Sequence, residues 1–409
     1  MTIRIDVLVR TLAQALDLVE IAYLGATSNH GRRIAVLCAA MGRHLGMSKD
    51  ELSALVTCAL LHDNALTEYF LLLKENAEGD VSRLGAHCEI GQRNVEILPF
   101  RENIQGYILY HHERADGQGP FRMSEGYCPL AAELIAAADM IDVATPLHLI
   151  PLSELETLRR GIEGDIHQRF TGKAGEALLA VLDGEMLASL RGDRIEAATT
   201  SAVPAWVMDS GDPALLPIAE LIAHIIDYKS AFTKVHTRQI ANRAWVMAEH
   251  YDYDPAQKIK LYLAAALHDL GKLAVPSEVL EKPGKLDQAE FEIIKTHITY
   301  TRELLSGAVG LGDIVEWAAN HHEKLDGRGY PLGKGETDLD FNSRLMACID
   351  IYQAVSEERP YHPRRSHAET MPILYDMADK GGIDLNIVKD MDVAMAPWSG
   401  KDVETPKPN

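Results

Sequence analysis

The sequence predicts an all-α protein made of two tandem helical-bundle domains related by an internal repeat, and three features carry that expectation. Apolar residues recur at helical spacing along almost the whole chain. Runs of alternating β-branched residues between tight turns are nearly absent. An ordered set of histidines and aspartates occurs twice, once in each half.

Local signals place the elements. In SKDELSALVTCALL, Ser48 and Glu51 have the spacing of a capping box, each side chain accepting the other's backbone N–H, which predicts a helix ending near His62. Asp254-Pro255 opens the helix over KIKLYLAAALHDLG, with proline in the first turn, where its missing N–H costs nothing, and Gly271 ending it. Asp287 and Glu290 repeat the capping pattern ahead of FEIIKTHITYTRELL. From Leu190 to Pro217 the chain mixes Gly, Pro, Ser and Thr with no sustained helical period. We therefore expect domains over residues 1–190 and 216–394, joined by a linker over 191–215. Residues 395–409, with three prolines and few apolar side chains, are expected to form a flexible tail.

A chain of 409 residues is too long for one small core, and an apolar fraction of 47% against 24% charged is that of a folded globular protein. With 60 acidic and 40 basic side chains the formal charge is -20, which repels polyanions and excludes a non-specific binder of nucleic-acid polymers. Any phosphate ligand must be met by local cations. Cys38, Cys58, Cys88, Cys128 and Cys348 form no C-x-x-C pair, which suits reduced core thiols in a cytoplasmic protein. The first residues, MTIRIDVLVRTLAQALDLVEIAYLGA, interrupt their apolar run with charges too often for a signal peptide or membrane span, and no other segment spans a membrane.

The repeat is ordered and long. His30 and His62 stand 32 residues apart, as do His236 and His268, and each second histidine is followed by an aspartate, Asp63 or Asp269. His87 precedes the pair His111-His112 by 24 residues, and His297 precedes His321-His322 by 24. Asp139 follows His111 by 28, and Asp350 follows His321 by 29. The offset between halves grows from 206 to 210 to 211, as loop insertions between preserved helices would produce. HHERADGQGP and HHEKLDGRGYP place one insertion, at Tyr330.

A His-Asp pair at the end of an apolar helix puts two ionisable groups where a core helix ordinarily carries none, and such burial is costly unless the groups are paired or hold a metal. Imidazole and carboxylate are ligands of Zn, Mn and Fe, and seven of them converging from separate helices suffice for two ions that share a bridging carboxylate. Two metals roughly 3.5 to 4 Å apart are a known device for phosphoester hydrolysis, activating a water and neutralising phosphoryl charge.

Through ALHDLGKLAVP, EKPGKL, the histidine of KTHITY, HHEKLDGRGYPLG and ACIDIYQAVSEERPY, the second half resembles an HD-GYP domain of the HD phosphohydrolases. The resemblance covers about 150 residues. It implies hydrolysis of cyclic di-GMP, with iron or manganese, and leaves open a cyclic dinucleotide of guanine and adenine as substrate. It also implies ligand sets: His236, His268, Asp269 and Asp350 for one ion, and Asp269, His297, His321 and His322 for the other, with Asp269 the bridge. Lys272 would touch the scissile phosphate, Gly327, Gly329, Tyr330 and Pro331 would shape the lip over the substrate, and Arg359 would bind phosphate. A homodimer is compatible with this reading.

The second half departs from the family's pattern at four positions. Phe232 replaces a glutamate of a third metal site, Gln239 an arginine three residues after the first histidine, Thr301 a glycine, and Gln353 the second aspartate of the D-x-x-D segment. The first half resembles the HD family more distantly, with His30, His62, Asp63, His87, His111, His112 and Asp139 at the ligand positions. There Leu66 stands where the phosphate-contacting lysine would be, the tyrosine of the lip is missing, and no counterpart of ERPY follows. Two states are open for this half: further metal bound without efficient turnover, or relic residues satisfied by core hydrogen bonds. Two other classes compete with an enzyme of this type. One is a receptor that binds the nucleotide, or senses metal or redox state, with little hydrolysis. The other is a different HD chemistry, nucleotidase or di-iron oxygenase.

Overall fold

The computed structural model describes residues 2–25, 27–75, 85–308, 310–358 and 363–406, and among them form nineteen α-helices and two three-residue strands. The fold is all-α, as the sequence predicts. The strands β1 (Thr2–Arg4) and β2 (Val207–Asp209) pair with each other. The chain divides into two compact units, Ile5–Val207 and Met208–Asn409, the latter including Met1–Arg4. No helix among the described residues is long and apolar enough to cross a membrane.

The first unit contains α1 (Ile5–Leu24), α2 (His30–His44), α3 (Lys49–Leu60), α4 (Leu66–Glu75), α5 (Gly85–Val95), α6 (Leu130–Ala144), α7 (Leu155–Asp165), α8 (Gly172–Val181), α9 (Gly184–Ser189) and α10 (Arg194–Ala202). Its centre is α2, packed on α1, α3, α6 and α8. The second unit contains α11 (Leu215–Asp227), α12 (His236–His250), α13 (Pro255–Leu267), α14 (Ser277–Leu280), α15 (Gln288–Ser306), α16 (Gly312–Ala319), α17 (Phe341–Ser356), α18 (His367–Asp379) and α19 (Leu385–Met395). Here α12 is central, packed on α11, α13 and α17. The repeat is visible in the helices themselves, since α2 and α12 each run for 15 residues and each begins on the first histidine of its set.

Both capping boxes read from the sequence form, and α13 carries another. Ser48 Oγ accepts from Glu51 N at 3.2 Å while Glu51 Oε2 accepts from Ser48 N at 2.7 Å, and Asp254 with Gln257, and Asp287 with Glu290, do the same at α13 and α15. Helices α3 and α13 end at Leu60 and Leu267, so each His-Asp pair sits just past its helix, where the chain turns inward.

Gly271 has a different task from the one its position suggests. The α-helix already ends at Leu267, and Gly271 lies in a short 3-10 turn, Leu270–Ala274, that presses on α15. A Cβ there would lie 2.0 Å from the carbonyl oxygen of His297 and 2.7 Å from the amide of Thr301. The absence of a side chain thus lets the His-Asp turn approach the helix that carries His297. Gly271→Ala is expected to cost about 3 kcal/mol by overpacking, measured as a lower denaturation midpoint at unchanged slope.

Two expected irregular segments are folded. Within 191–215, α10 packs on α2 and buries Ile195, Thr199 and Ala202, a helical spacing carried mostly by small residues and so nearly silent in an apolar pattern. Residues 395–406 dock against α12: the Val403 amide donates to Gln239 Oε1 at 2.8 Å, and its carbonyl accepts from Gln239 Nε2 at 3.2 Å and from Asn242 Nδ2 at 2.8 Å. Buried amide side chains on the helix need partners, and the tail backbone provides them. Residues 407–409 lie outside the described residues.

Candidate metal centres

In the second unit, α12 delivers His236 from its first turn, the end of α13 delivers His268 and Asp269, α15 delivers His297, the segment after α16 delivers His321 and His322, and α17 delivers Asp350. All seven converge. The ligand-capable atoms of His236, His268 and Asp350 lie within 4.8 Å of one another, as do those of His297, His321 and His322. Asp269 stands between the groups: its Oδ2 is 3.0 Å from His268 Nε2 and 3.7 Å from His236 Nε2, and its Oδ1 is 3.4 Å from His297 Nε2.

The histidines are oriented by a shared device. His268, His297 and His321 each donate Nδ1–H to the carbonyl three residues earlier, at 2.7, 2.6 and 2.6 Å. That fixes the tautomer and turns each Nε2 lone pair inward. These three Nε2 atoms and Asp269 Oδ1 are buried without any hydrogen-bond partner, an arrangement that is costly in a protein core. Inward lone pairs of imidazole and carboxylate on buried, partnerless atoms are what a borderline transition-metal ion fits.

Burial lowers His297 to about 3, with His322 and Lys272 adding to it against the opposing pull of Asp269, and it holds His321 well below the usual histidine range. Both are neutral and ready to coordinate. Burial would also depress His236, but Glu357 and Asp350 outweigh it and raise the group to about 9. Below that pH the metal-free site keeps a proton that coordination through Nε2 must displace. Metal uptake at pH 7 is therefore expected to release protons, and affinity to rise with pH towards about 9. Calorimetry in buffers of different ionisation enthalpy checks this, a buffer-independent heat being the contrary result.

Lys272 Nζ donates to Asp269 Oδ2 at 2.5 Å, so its ammonium lies at the edge of the cluster. The lip is pinned from beneath by Glu323, whose two oxygens accept from the amides of Leu332 (2.7 Å) and Lys334 (3.0 Å). Gly329 permits this closeness, since a Cβ would meet Glu323 Cα at 2.4 Å. Gly327 takes a positive φ of 72°. Tyr330 lies with its ring 4.8 Å from that of His322, and burial together with Asp350 and Asp269 raises its phenol, which keeps it a neutral donor. Pro331 follows on the exposed lip. Arg359 falls outside the described residues.

The first unit repeats the scaffold with differences. His30, His62 and Asp139 form one group within 4.8 Å, and His87, His111 and His112 form another together with Cys88. Asp63 again lies between, 3.5 Å from His62 Nε2 and 3.6 Å from His87 Nε2. His62 and His111 donate Nδ1–H to the carbonyls of Ala59 and Ile108, leaving their buried Nε2 atoms partnerless. His30, in contrast, is satisfied on both nitrogens, by Asp142 at 2.8 Å and Asp139 at 3.1 Å. Burial would lower it, yet these two carboxylates raise it to about 11. A cavity of about 630 Å³ opens beside His30, Asp63 and Asp139, walled on one side by Leu24, Leu66 and Phe70. No lysine lines it.

The sequence alone missed several of these participants. Cys88, taken as a plain core thiol, has Sγ 3.7 Å from His87 Nε2, and burial raises its pKa. Glu20, on α1, is 3% exposed and lines the cavity, and burial, then Asp63 and Asp17, push its carboxyl well above the usual range. It belongs to no motif, and its only signal is a pair of carboxylates, Asp17 and Glu20, at i and i+3 on the buried face of α1. Asp142 and Glu357, which pair with the first histidine of each set, and Arg33, which holds Asp142, also went unread.

Two clusters of this composition, each gathered from several helices of one unit, are candidate metal centres in helical domains. Residues 220–387 and residues 27–144 each match a family described as HD domain. The chain is similar to the 3'3'-cGAMP-specific phosphodiesterase 1 of Vibrio cholerae, with 30% identity over 92% of this chain and 88% of the relative. It is also similar to a cyclic di-GMP phosphodiesterase of Thermotoga maritima, with 33% identity over 36% of this chain and 40% of that one. A solved structure of a cyclic GMP-AMP-specific phosphodiesterase from V. cholerae has the same fold, with a TM-score of 0.66 at 23% identity over 97% of this chain and 98% of that one. The chain belongs to the HD-domain phosphodiesterases of the HD-GYP type, and it carries two HD domains. HD domains are metal-dependent.

Proposed function

We propose that the second unit hydrolyses a cyclic dinucleotide at a binuclear centre, with 3'3'-cGAMP as the substrate and cyclic di-GMP as the second candidate. The observation that carries the chemistry is the convergence of seven imidazole and carboxylate side chains, all but His322 buried, with Asp269 between the two groups and Lys272 at their edge. The choice of substrate is supported by the relative that spans 92% of this chain, which is specific for 3'3'-cGAMP. The resemblance of the motifs alone led to cyclic di-GMP, and the relative from T. maritima keeps that substrate in view.

In this reading His236, His268, Asp269 and Asp350 hold one ion, and Asp269, His297, His321 and His322 the other. When bound, iron or manganese supplies a lowered pKa for an attacking water and neutralises charge on the phosphoryl group. Lys272 adds a positive charge where the transition state becomes more negative. The lip formed by Gly329, Tyr330 and Pro331 positions the dinucleotide and limits water around the reacting phosphate. In the first unit Leu66 stands in place of that lysine, so its cluster holds metal or supports the fold without hydrolysing the same substrate efficiently.

Lys272→Ala is expected to lower turnover about 100-fold, the scale of losing one transition-state charge contact, while leaving metal content within experimental error of the parent. Loss of both ions in that variant would show that the lysine has been given the wrong role. Comparing kcat/KM for 3'3'-cGAMP and cyclic di-GMP in the parent tests the substrate choice, and a preference for cyclic di-GMP would reverse it.

A further inference from the structure

We propose that Glu357 is a positioning residue for His236, and that it takes over, one helical turn further along, the task that Asp142 performs for His30. The inference rests on His236 being a metal ligand.

In the first unit the support for His30 lies three residues on along each helix. Asp142, three after Asp139 on α6, accepts at 2.8 Å from His30 Nδ1. Arg33, three after His30 on α2, donates Nε to both oxygens of Asp142 at 2.8 and 3.0 Å, and Nη2 to one of them at 2.8 Å. The corresponding positions of the second unit hold Gln239 and Gln353, and neither is charged. Gln239 is turned to the docked tail at Val403.

The missing pair reappears four residues later on both helices. Arg243 is four after Gln239 on α12, and Glu357 is four after Gln353 at the C-terminal cap of α17. Glu357 Oε2 is 2.9 Å from His236 Nδ1. Gln353 joins the two displaced charges, donating Nε2–H to that same oxygen at 3.0 Å and accepting at Oε1 from Arg243 Nε at 2.7 Å. Arg243 is 2% exposed, with its guanidinium 5.0 Å from the centre of the Tyr352 ring. A step of four residues keeps a side chain on the same helix face. Two such steps in the same direction, on the two helices that face each other across the histidine, preserve the arginine–carboxylate support while moving it by one turn.

The chemical consequence follows from the hydrogen bond. A carboxylate that takes Nδ1–H fixes which nitrogen carries the proton, aims Nε2 at the cluster and makes that nitrogen a better donor. A merely structural glutamate would affect folding without selective effect on metal.

The test is Mn²⁺ affinity, by competition with a chelator, in the full chain carrying His62→Ala and Asp63→Ala so that the second unit is read alone. Glu357→Ala is expected to weaken binding about 10- to 100-fold, and to cause no further loss once His236→Ala is present. Gln353→Asp added to Glu357→Ala is expected to restore most of the affinity, because aspartate at that position stands as Asp142 does to His30. Parental affinity in Glu357→Ala, or the same fold-loss with and without His236, overturns the inference. Should Glu357→Ala fail to unfold cooperatively, Glu357→Gln is read in the same way, with roughly tenfold weakening expected and unchanged affinity overturning the proposal. If the parent binds no Mn²⁺ and His236→Ala changes nothing, the ligand assignment itself has failed, which is distinct from a parent that binds Mn²⁺ and ignores Glu357.

Discussion

Replacing His268 and Asp269 together with alanine is expected to abolish phosphodiesterase turnover, while His62→Ala with Asp63→Ala leaves at least about half of it. The two pairs occupy equivalent places, just beyond α13 and α3, and both aspartates lie between two groups of ligands. What differs is the surrounding charge. Asp269 has Lys272 at 2.5 Å, whereas the matching position of the first unit is Leu66, buried at 3% exposure. Hydrolysis of a phosphodiester needs both a metal-activated water and positive charge on the phosphoryl oxygens, and at the position of Lys272 the first unit has leucine, the cation lining its cavity being Arg169. Each double variant must retain cooperative unfolding, since buried ligands also join the helices of their bundle. If the first pair abolishes turnover in a folded protein and the second spares it, the catalytic unit has been misassigned. If each pair alone abolishes it, the first unit must hold the second in a competent state.

Asp269→Ala alone is expected to remove both ions from the second unit and to lower turnover more than about 1,000-fold, whereas His297→Ala removes about one ion. The asymmetry follows from position. One oxygen of Asp269 faces His268 and His236 and the other faces His297, while His297 belongs to one group only. Metal analysis of the two variants, with the first unit's pair already replaced, gives the contrast directly. Equal loss in both would show that the centre fills as one cooperative site, and retention of one ion in Asp269→Ala would remove its bridging role.

The helices and their starts were legible because capping boxes and apolar periods are local signals: Ser48 with Glu51, Asp254 with Pro255 and Asp287 with Glu290 each stand where a helix begins. The clusters were legible for a different reason. Fixed spacings repeated twice mark residues that must meet in space, and the structure brings each set of seven together. What escaped was support that is not fixed in register. Gln239 and Gln353 read as losses because equivalence was sought at the same step along the chain, and the charges had moved one turn on, to Arg243 and Glu357. Helix α10 escaped because its buried face is small and partly polar, Ile195, Thr199 and Ala202. The docked tail escaped because it bonds to Gln239 and Asn242 through its own backbone groups, which carry no residue code. Glu20 reaches the first cavity from α1, with no motif to announce it.

Turnover of 3'3'-cGAMP by anaerobically purified protein, with metal content determined on the same sample, tests the central claim most directly. The account predicts about two iron or manganese ions in the second unit and hydrolysis, to the linear dinucleotide or on to mononucleotides, that is lost on chelation and restored by adding the metal back. Metal-replete, folded protein that hydrolyses neither 3'3'-cGAMP nor cyclic di-GMP, or that holds less than about one ion per chain, would contradict it.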